Sequence, residues 1–366
     1  MKILIFEWRD IKNPKAGGSE LYFHELAKRW VGQGNKVTII CGGWEGCNKE
    51  EVIEGIKTIR IEKEFSQYLL SPFAYFKLKE KPNIIIDVEN GIPFFIPLFS
   101  KPTKILHIHH IHKNVWFKET WNGGLKNKVI ALIGYFLETK VMPFVYRNTK
   151  IVTVSESSNE EIKRLFKKEA EIVYNGVDTN KFKPDEKSKT PEIIFVGRLK
   201  KYKSVDVLLK AISSLKNEKI KVYIIGRGDD EERLKKLRKN LNLKHVIFKG
   251  FVSENEKIKH LQRAWLAINP SMIEGWSITN IEANACGTPV IGSNVPGIKD
   301  SVIDRKTGLL FKYGDEKELA EKIDFLIKNK KIRENMGKEA IKWAKNFSWD
   351  KSAEKYLDII KKVTKQ

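Results

Sequence analysis

The sequence predicts two doubly wound α/β domains facing a cleft. Three observations carry that expectation. The chain of 366 residues exceeds what one hydrophobic core usually fills. Short apolar runs alternate with amphipathic helical patterns in both halves. A stretch of turn formers and charge, "NGVDTNKFKPDEKSKTP" at 175–191, breaks the alternation in mid-chain. The expected domains are residues 1–175 and 176–348. A terminal helix follows at 349–366, and its periodicity leaves open whether it returns to the first domain.

In order, "KILIFEW" at 2–8 reads as a buried strand, and "ELYFHELAKRWV" follows as a helix with Phe23, Leu26, Ala27, Trp30 and Val31 on one face. "KVTIIC" then reads as a second strand, which makes a βαβ unit and implies a parallel sheet. "TIRI" (58–61), "NIIIDVE" (83–89), "KILHIHH" (104–110) and "KIVTVS" (150–155) are the further strands of this half. The second half repeats the pattern in "EIIFVG" (192–197), "KVYIIG" (221–226), "HVIFKG" (245–250), "LAINP" (266–270) and "PVIGS" (289–293). These runs are apolar throughout, as strands covered on both faces should be. Ligands of such sheets bind outside the carboxyl ends of the strands.

Composition narrows the function classes. Sixty-eight Lys and Arg against 46 Asp and Glu leave a formal charge of +22, spread along the chain, which favours anionic partners. The three cysteines have no paired spacing, so neither a disulfide framework nor a zinc site is expected and a reducing cytoplasm suits the chain. No signal peptide is visible, and apolar runs such as "VIALIGYFL" (129–137) are too short to span a bilayer.

The chemistry concentrates in "SMIEGWSITNIEANACGTPVI" at 271–291, where Glu274 and Glu282 stand in one of the more apolar stretches of a highly charged chain. After the strand "LAINP" the chain turns through "MIEGW", and a helix is expected from about Ser277 to Gly287, a glycine suited to a left-handed helix end. The amides of Gly275, Trp276, Ser277, Ile278 and Thr279 then lie around a helix amino terminus, a ready anion site. Ionised carboxylates accept hydrogen bonds and repel phosphate, so Glu274 and Glu282 suit hydroxyls. Amides for a phosphate flanked by carboxylates for hydroxyls describe a sugar-nucleotide site.

Positive charge for that phosphate comes from "FVGRLKKYKSVDVLLKAI" at 195–212, where Arg198 follows Gly197 at a strand end and Lys203 precedes a helix. In the first half "NPKAGGSELY" sets Gly17 and Gly18 before a helix that Ser19 is expected to cap, and the two glycines allow close approach of a ligand. "LHIHHIHKNVWF" (106–117) crowds His107, His109, His110 and His112 at a strand end. Strand alternation splits them between faces and no carboxylate is close in sequence, so packed or solvated histidines are expected rather than a metal cluster. His109 is the preferred cleft histidine for a substrate hydroxyl, with His112 as its rival. Glu89 and Asn90 in "DVENG" end a neighbouring strand and are candidate acceptor contacts. No Asp-x-Asp occurs, which removes a common metal and diphosphate signature.

Glu274 and Glu282 in "EGWSITNIEANACGTPVI", with "GRLKKYKS", "AGGSE" and "NGVDTNKFKP", resemble the retaining glycosyltransferases of family four, the glycosyl transferases group 1. The resemblance covers nearly the whole chain and implies the GT-B fold of two Rossmann-like domains. By that resemblance Glu274 contacts the transferred hexosyl group and Glu282 the nucleotide ribose. Arg198 and Lys203 stabilise the leaving diphosphate, Gly17 and Gly18 approach it, and His109 bonds the donor sugar. The resemblance also implies retention by front-face attack, with no bound metal or other cofactor; the nucleotide sugar is a substrate. Two departures stand out: Ser204 replaces the glycine that usually follows the lysine motif, and Trp276-Ser277 replaces Phe-Gly, so the phosphate turn is expected to differ in shape.

A glycoside hydrolase also uses two carboxylates, and a nucleotide-sugar epimerase would suit the same two-domain fold. The hydrolase has no need of a helix terminus and an arginine aimed at phosphate. The +22 charge would suit nucleic acid, yet no recognition helix or RNA-binding signature accompanies it, so nucleic acid is not an expected partner. The acceptor is expected to be a glycan or a lipid-linked molecule. Residues 113–150 mix lysines, aromatics and apolar side chains in a way that suits peripheral contact with an anionic membrane at its inner face. A buried helix with charged ends would use the same residues, and the sequence leaves both readings open.

Overall fold

The computed structural model describes residues 1–61, 66–120, 124–215 and 220–365. The chain divides into two compact units, one made of Met1–Gly176 with Trp349–Gln366, the other of Val177–Ser348.

The first unit is built on β1 (Lys2–Phe6), β2 (Lys36–Gly42), β3 (Glu50–Ile53), β4 (Ile56–Ile61), β5 (Ile84–Glu89), β6 (Thr103–Ile108), β7 (Lys150–Thr153) and β8 (Glu171–Ile172). Their order across the sheet is β3-β4-β2-β1-β5-β6-β7-β8, parallel except for the β3–β4 hairpin. Ile5 lies in register between Ile39 of β2 and Ile86 of β5, and all three are buried. Each such side chain contributes about 1.5–3 kcal/mol of transfer free energy, and β-branched residues suit the pleat. The order reverses between β1 and β5, which makes their carboxyl ends the switch point of this sheet.

Helices cover the sheet. Gly18–Gly32 buries Tyr22, Phe23, Leu26, Ala27 and Trp30. The last helix, Trp349–Thr364, packs on it: Trp30 Nε1 donates to Ala353 O at 2.9 Å, and the Tyr356 ring lies 5.5 Å from that of Trp30. Arg60 and Asp10 form a buried bidentate pair at 2.7 and 3.1 Å, which holds the loop after β1 against β4.

The second unit carries β9 (Glu192–Val196), β10 (Lys221–Ile225), β11 (Val246–Gly250), β12 (Leu266–Asn269), β13 (Val290–Ser293) and β14 (Gly308–Phe311). The order β11-β10-β9-β12-β13-β14 is parallel throughout and reverses between β9 and β12. Glycines let the carboxyl ends approach: a Cβ on Gly226, at φ +133°, would lie 1.9 Å from Gly197 O.

Three sequence expectations change. "HVIFKG" is not covered on both faces: β11 is an edge strand that leaves Ile247 exposed. "KILHIHH" ends as a strand at Ile108, so His109 and His110 lie in the turn beyond β6. Ser19 does not cap the first helix, because the chain turns two residues earlier at Gly17, whose amide donates to Glu20 Oε2 at 2.8 Å. All three cysteines are free. No helix among the described residues is long and apolar enough to cross a membrane.

Candidate active site

The residues after β9 and after β12 meet at the switch point of the second unit. β12 ends at Asn269, and the chain turns through residues 270–277 into the helix Ile278–Ala285. Among the described residues, the amides of Ser277, Ile278 and Thr279 have no hydrogen-bond acceptor, as expected for the first turn of a helix. The helix ends in a Schellman motif: Thr288 N donates to Ala283 O at 2.9 Å and Gly287 N to Asn284 O at 3.0 Å, with Gly287 at φ +68°.

Glu274 and Glu282 each carry a lysine. Lys203 Nζ donates to Glu274 Oε1 at 2.5 Å, and Lys257 Nζ donates to Glu282 Oε1 at 2.8 Å. Burial disfavours the Lys203 ammonium, but the Glu274 carboxylate outweighs it and holds the pKa above the ordinary lysine value, so Lys203 stays charged. Glu282 is buried on the fifth position of the helix, and its Oε2 has no hydrogen-bond partner among the described residues. An unmet buried acceptor of this kind is costly unless a ligand hydroxyl serves it. Arg198 is exposed at the end of β9, 3.4 Å from Tyr202 OH, and close enough to Lys203 to oppose its charge.

The turn is fixed by polar contacts. Asn269 Nδ2 donates to Ser277 Oγ at 2.8 Å and to Asn280 Oδ1 at 3.0 Å; Ser271 Oγ lies 2.9 Å from Glu274 Oε1. Met272 N donates to Tyr202 O at 2.7 Å, which ties the Glu274 turn to the Lys203 segment. Gly297 closes the far side, since a Cβ there would lie 2.0 Å from Glu274 O. Trp276 is buried against Phe347, with ring centroids 4.9 Å apart.

Both departures from the family pattern fall on left-handed backbone. Ser204 has φ 51° and Ser277 φ 69°. The chain therefore keeps, with serine, a conformation that glycine adopts without steric cost.

The first unit gathers its own polar residues at the switch point of its sheet. Glu7, just past β1, accepts from Asn90 Nδ2 at 2.8 Å and from Ser19 Oγ at 3.2 Å, and Gly17 and Gly18 begin the adjacent helix. Burial, reinforced by Glu20, pushes the Glu7 carboxyl well above its ordinary value. Gly17 has φ −143° and ψ −150°, extended backbone that other residues adopt, so its conformation alone does not demand glycine.

His109 is buried edge-on against Tyr22 and Phe23, and its Nε2 has no hydrogen-bond partner among the described residues. Burial, then the charge of His112, lowers its pKa to about 3, so it is neutral at pH 7. His112 stacks on His110 at 4.4 Å and stands 3.5 Å from Glu89 Oε1. Glu138, distant in sequence, accepts from the His112 and Lys113 amides and from Trp116 Nε1. Burial, then Glu89, raises its pKa to about 7.

Residues 176–343 match the family described as Glycosyl transferases group 1, and residues 16–181 that described as Glycosyltransferase Family 4. Two proteins of Methanocaldococcus jannaschii, each named an uncharacterized glycosyltransferase, are similar over most of their length. One is 30% identical across 82% of this chain and 73% of the relative, the other 31% identical across 79% and 88%. This chain is a family 4 glycosyltransferase.

Its fold is GT-B, two parallel-sheet α/β units. Sucrose-phosphate synthase from Thermosynechococcus elongatus has a TM-score of 0.84 at 18% identity, covering 99% of this chain and 98% of that one. HepE of Anabaena, determined in complex with UDP-glucose, has a TM-score of 0.77 at 16% identity, covering 99% and 100%.

The sequence of this glycosyltransferase left several contributors unmarked. Lys257 is one lysine among many, and only the fold sets it on Glu282. Glu7 reads as the charge that ends a strand, and Gly297 as an ordinary turn glycine. A separate cavity of about 540 Å³ lines the opposite end of the Ile278–Ala285 helix, at Cys286 and Gly287, and holds none of the expected donor residues. Lys187 there donates to Cys286 O at 3.2 Å, a cation at a helix carboxyl end.

Proposed function

We propose that this glycosyltransferase moves a hexosyl group from a nucleotide-diphosphate sugar to a glycan or lipid-linked acceptor with retention of configuration. The observation that carries the reading is the ring of groups at the switch point of the second unit: Lys203 with Glu274, Lys257 with Glu282, and the unpaired amides of Ser277 to Thr279 between the two carboxylates in sequence. The amides, Arg198 and Lys203 suit a diphosphate. Glu274 suits the sugar hydroxyls, and the unmet Glu282 Oε2 suits the ribose. His109, buried and neutral, is a candidate hydrogen-bond partner for a sugar hydroxyl from the first unit.

In the proposed reaction the bond from the anomeric carbon to the diphosphate oxygen breaks, and the acceptor oxygen bonds that carbon on the same face. The acceptor proton passes to the departing phosphate. Lys203 and Arg198 hold the charge that develops on the leaving group, the electrostatic contribution that is usually largest in such reactions. No metal ion or other cofactor enters this scheme.

Peripheral contact with an anionic membrane is part of the reading. The helix Leu125–Phe136 exposes Leu125, Val129, Ile130, Leu132, Ile133 and Phe136. Buried-helix packing is thereby disfavoured, and an apolar face of this kind beside lysines suits a headgroup layer. Residues 121–123 of the same stretch lie outside the described residues. A screen of UDP-, GDP- and ADP-sugars for thermal stabilisation identifies the donor. Proton NMR of the product then reads its anomeric configuration: the donor's configuration is expected, and the inverted anomer would refute retention.

A further inference from the structure

Three side chains distant in sequence meet in the first unit, and the transfer scheme uses none of them. Glu89 ends β5, His112 precedes the helix Lys113–Thr120, and Glu138 sits in the π-helical turn Leu137–Val141. Their ligand atoms lie within 4.8 Å of one another, with His112 Nδ1 3.5 Å from Glu89 Oε1 and 4.0 Å from Glu138 Oε1. Donors that share one ion at about 2.0–2.2 Å stand roughly 3–4 Å apart, so small side-chain movements would close the set.

Glu89 makes the cluster more than a coincidence of acids. Its side chain is wholly buried, and neither carboxylate oxygen has a hydrogen-bond partner among the described residues. A buried carboxylate left so is strongly disfavoured unless a positive charge meets it. A divalent ion would meet both carboxyl groups at once, which a single imidazole at 3.5 and 4.0 Å does not.

The surroundings hold the ligands in place. Glu138 is oriented by the His112 amide, by the Lys113 amide at 2.9 Å and by Trp116 Nε1 at 3.0 Å, the kind of outer support that metal ligands require. The Trp116 ring packs on two glycines, where a Cβ would lie 2.9 Å from it at Gly91 and 2.8 Å at Gly134. A π-helical turn is itself a rare device that recurs at functional sites.

We propose that Glu89, His112 and Glu138 bind one divalent cation, Zn²⁺ or Mn²⁺. An imidazole beside two carboxylates suits these ions better than Mg²⁺ or Ca²⁺. Three protein ligands leave at least one coordination position for water.

The test is calorimetric titration of the full-length, metal-stripped protein with Zn²⁺ and with Mn²⁺, and absorption spectroscopy with Co²⁺ as a stand-in. One ion per chain is expected, with Co²⁺ bands of mixed nitrogen and oxygen coordination. Glu89→Gln and His112→Ala are each expected to weaken binding by at least about tenfold, and far-UV circular dichroism checks that both fold. The wild-type titration decides even if a variant fails to fold. Absence of stoichiometric binding of all three ions at sub-millimolar concentration overturns the proposal. So does wild-type affinity in a folded Glu89→Gln or His112→Ala.

Discussion

Replacing Lys257 by methionine isolates the electrostatics of the candidate donor site. Lys257 Nζ is 2.8 Å from Glu282 Oε1, and the two side chains are 20% and 4% exposed. Methionine keeps the aliphatic stem and removes the charge, leaving a buried carboxylate with no counter-ion. Breaking a fully buried pair costs about 3–5 kcal/mol. Water reaches the lysine end here, so the expected loss is roughly 2–3 kcal/mol. At about 2–4 °C per kcal/mol for a unit of this size, the corresponding calorimetric transition should fall by about 4–12 °C. The double variant Lys257→Met, Glu282→Gln removes the stranded charge and should recover at least half of the loss. Differential scanning calorimetry and urea unfolding at pH 7 read both numbers. A loss below about 0.5 kcal/mol, or a double variant no more stable than the single one, would refute the claim that Glu282 is buried and paired with Lys257.

Other outcomes follow from the same geometry. Ser277→Gly relieves a serine held at φ 69° but also removes the Oγ that accepts from Asn269 Nδ2, whereas Ser277→Ala loses the same Oγ and keeps the strained Cβ. Glycine should therefore be more stable than alanine here by about 1 kcal/mol; urea unfolding compares the two, and an alanine variant at least as stable as the glycine one would contradict the backbone reading. Lys203→Met removes the charge beside Glu274 and should lower kcat about 10²-fold or more in a transfer assay with the screened donor. Asp87 is buried and accepts from Phe94 N and Tyr146 OH; burial above all raises its pKa to about 7, whereas an unfolded carboxyl titrates near about 3.9. Between those values the folded chain binds the extra proton, so this group makes stability fall as pH rises from about 4 to about 7, by up to about 1.4 kcal/mol per pH unit. Asp87→Asn loses that slope and should gain on wild type across the window; a difference that does not change with pH would contradict the shift. Ile133→Glu within the exposed face of the Leu125–Phe136 helix should abolish flotation with anionic vesicles, and unchanged flotation would remove the membrane reading.

The central strands were legible because a strand buried on both faces is mostly apolar, with polar residues such as Asp87 and Glu89 held back to the carboxyl end of β5. "KILIFEW", "NIIIDVE" and "EIIFVG" each hold a strand, which runs only over Lys2–Phe6, Ile84–Glu89 and Glu192–Val196. The strands that escaped notice lack the signal for physical reasons. β3 is "EEVI", an exposed edge hairpin; β8 is two residues long; β14 is "GLLF", too brief for a period to show. Glu274, Glu282 and Arg198 stood out because carboxylates in an apolar stretch and a guanidinium after a strand end are chemically conspicuous, whereas Lys203, one lysine among many, carries little signal by itself. Their partners did not, because Lys257 and Gly297 become meaningful only once helix Glu254–Arg263 and the turn after β13 are folded against them. The same holds for Glu138. It lies 26 residues beyond His112, so a search for carboxylates near the histidines in sequence could not find it. The cap at Gly17 was missed because a side-chain hydroxyl was sought, where the helix instead begins on a bare backbone with Glu20 reaching back.

Equilibrium binding of nucleoside diphosphates tests the central claim most directly. Calorimetric titration of the wild-type chain, Lys203→Met and Glu282→Gln with UDP, GDP and ADP compares the three proteins on the same ligands. One nucleotide should bind wild type at one site per chain, and each substitution should weaken it about tenfold or more, since a charge-assisted contact contributes about 1.5–3 kcal/mol. Binding of equal strength in all three proteins, or none of the nucleotides binding wild type, would contradict it.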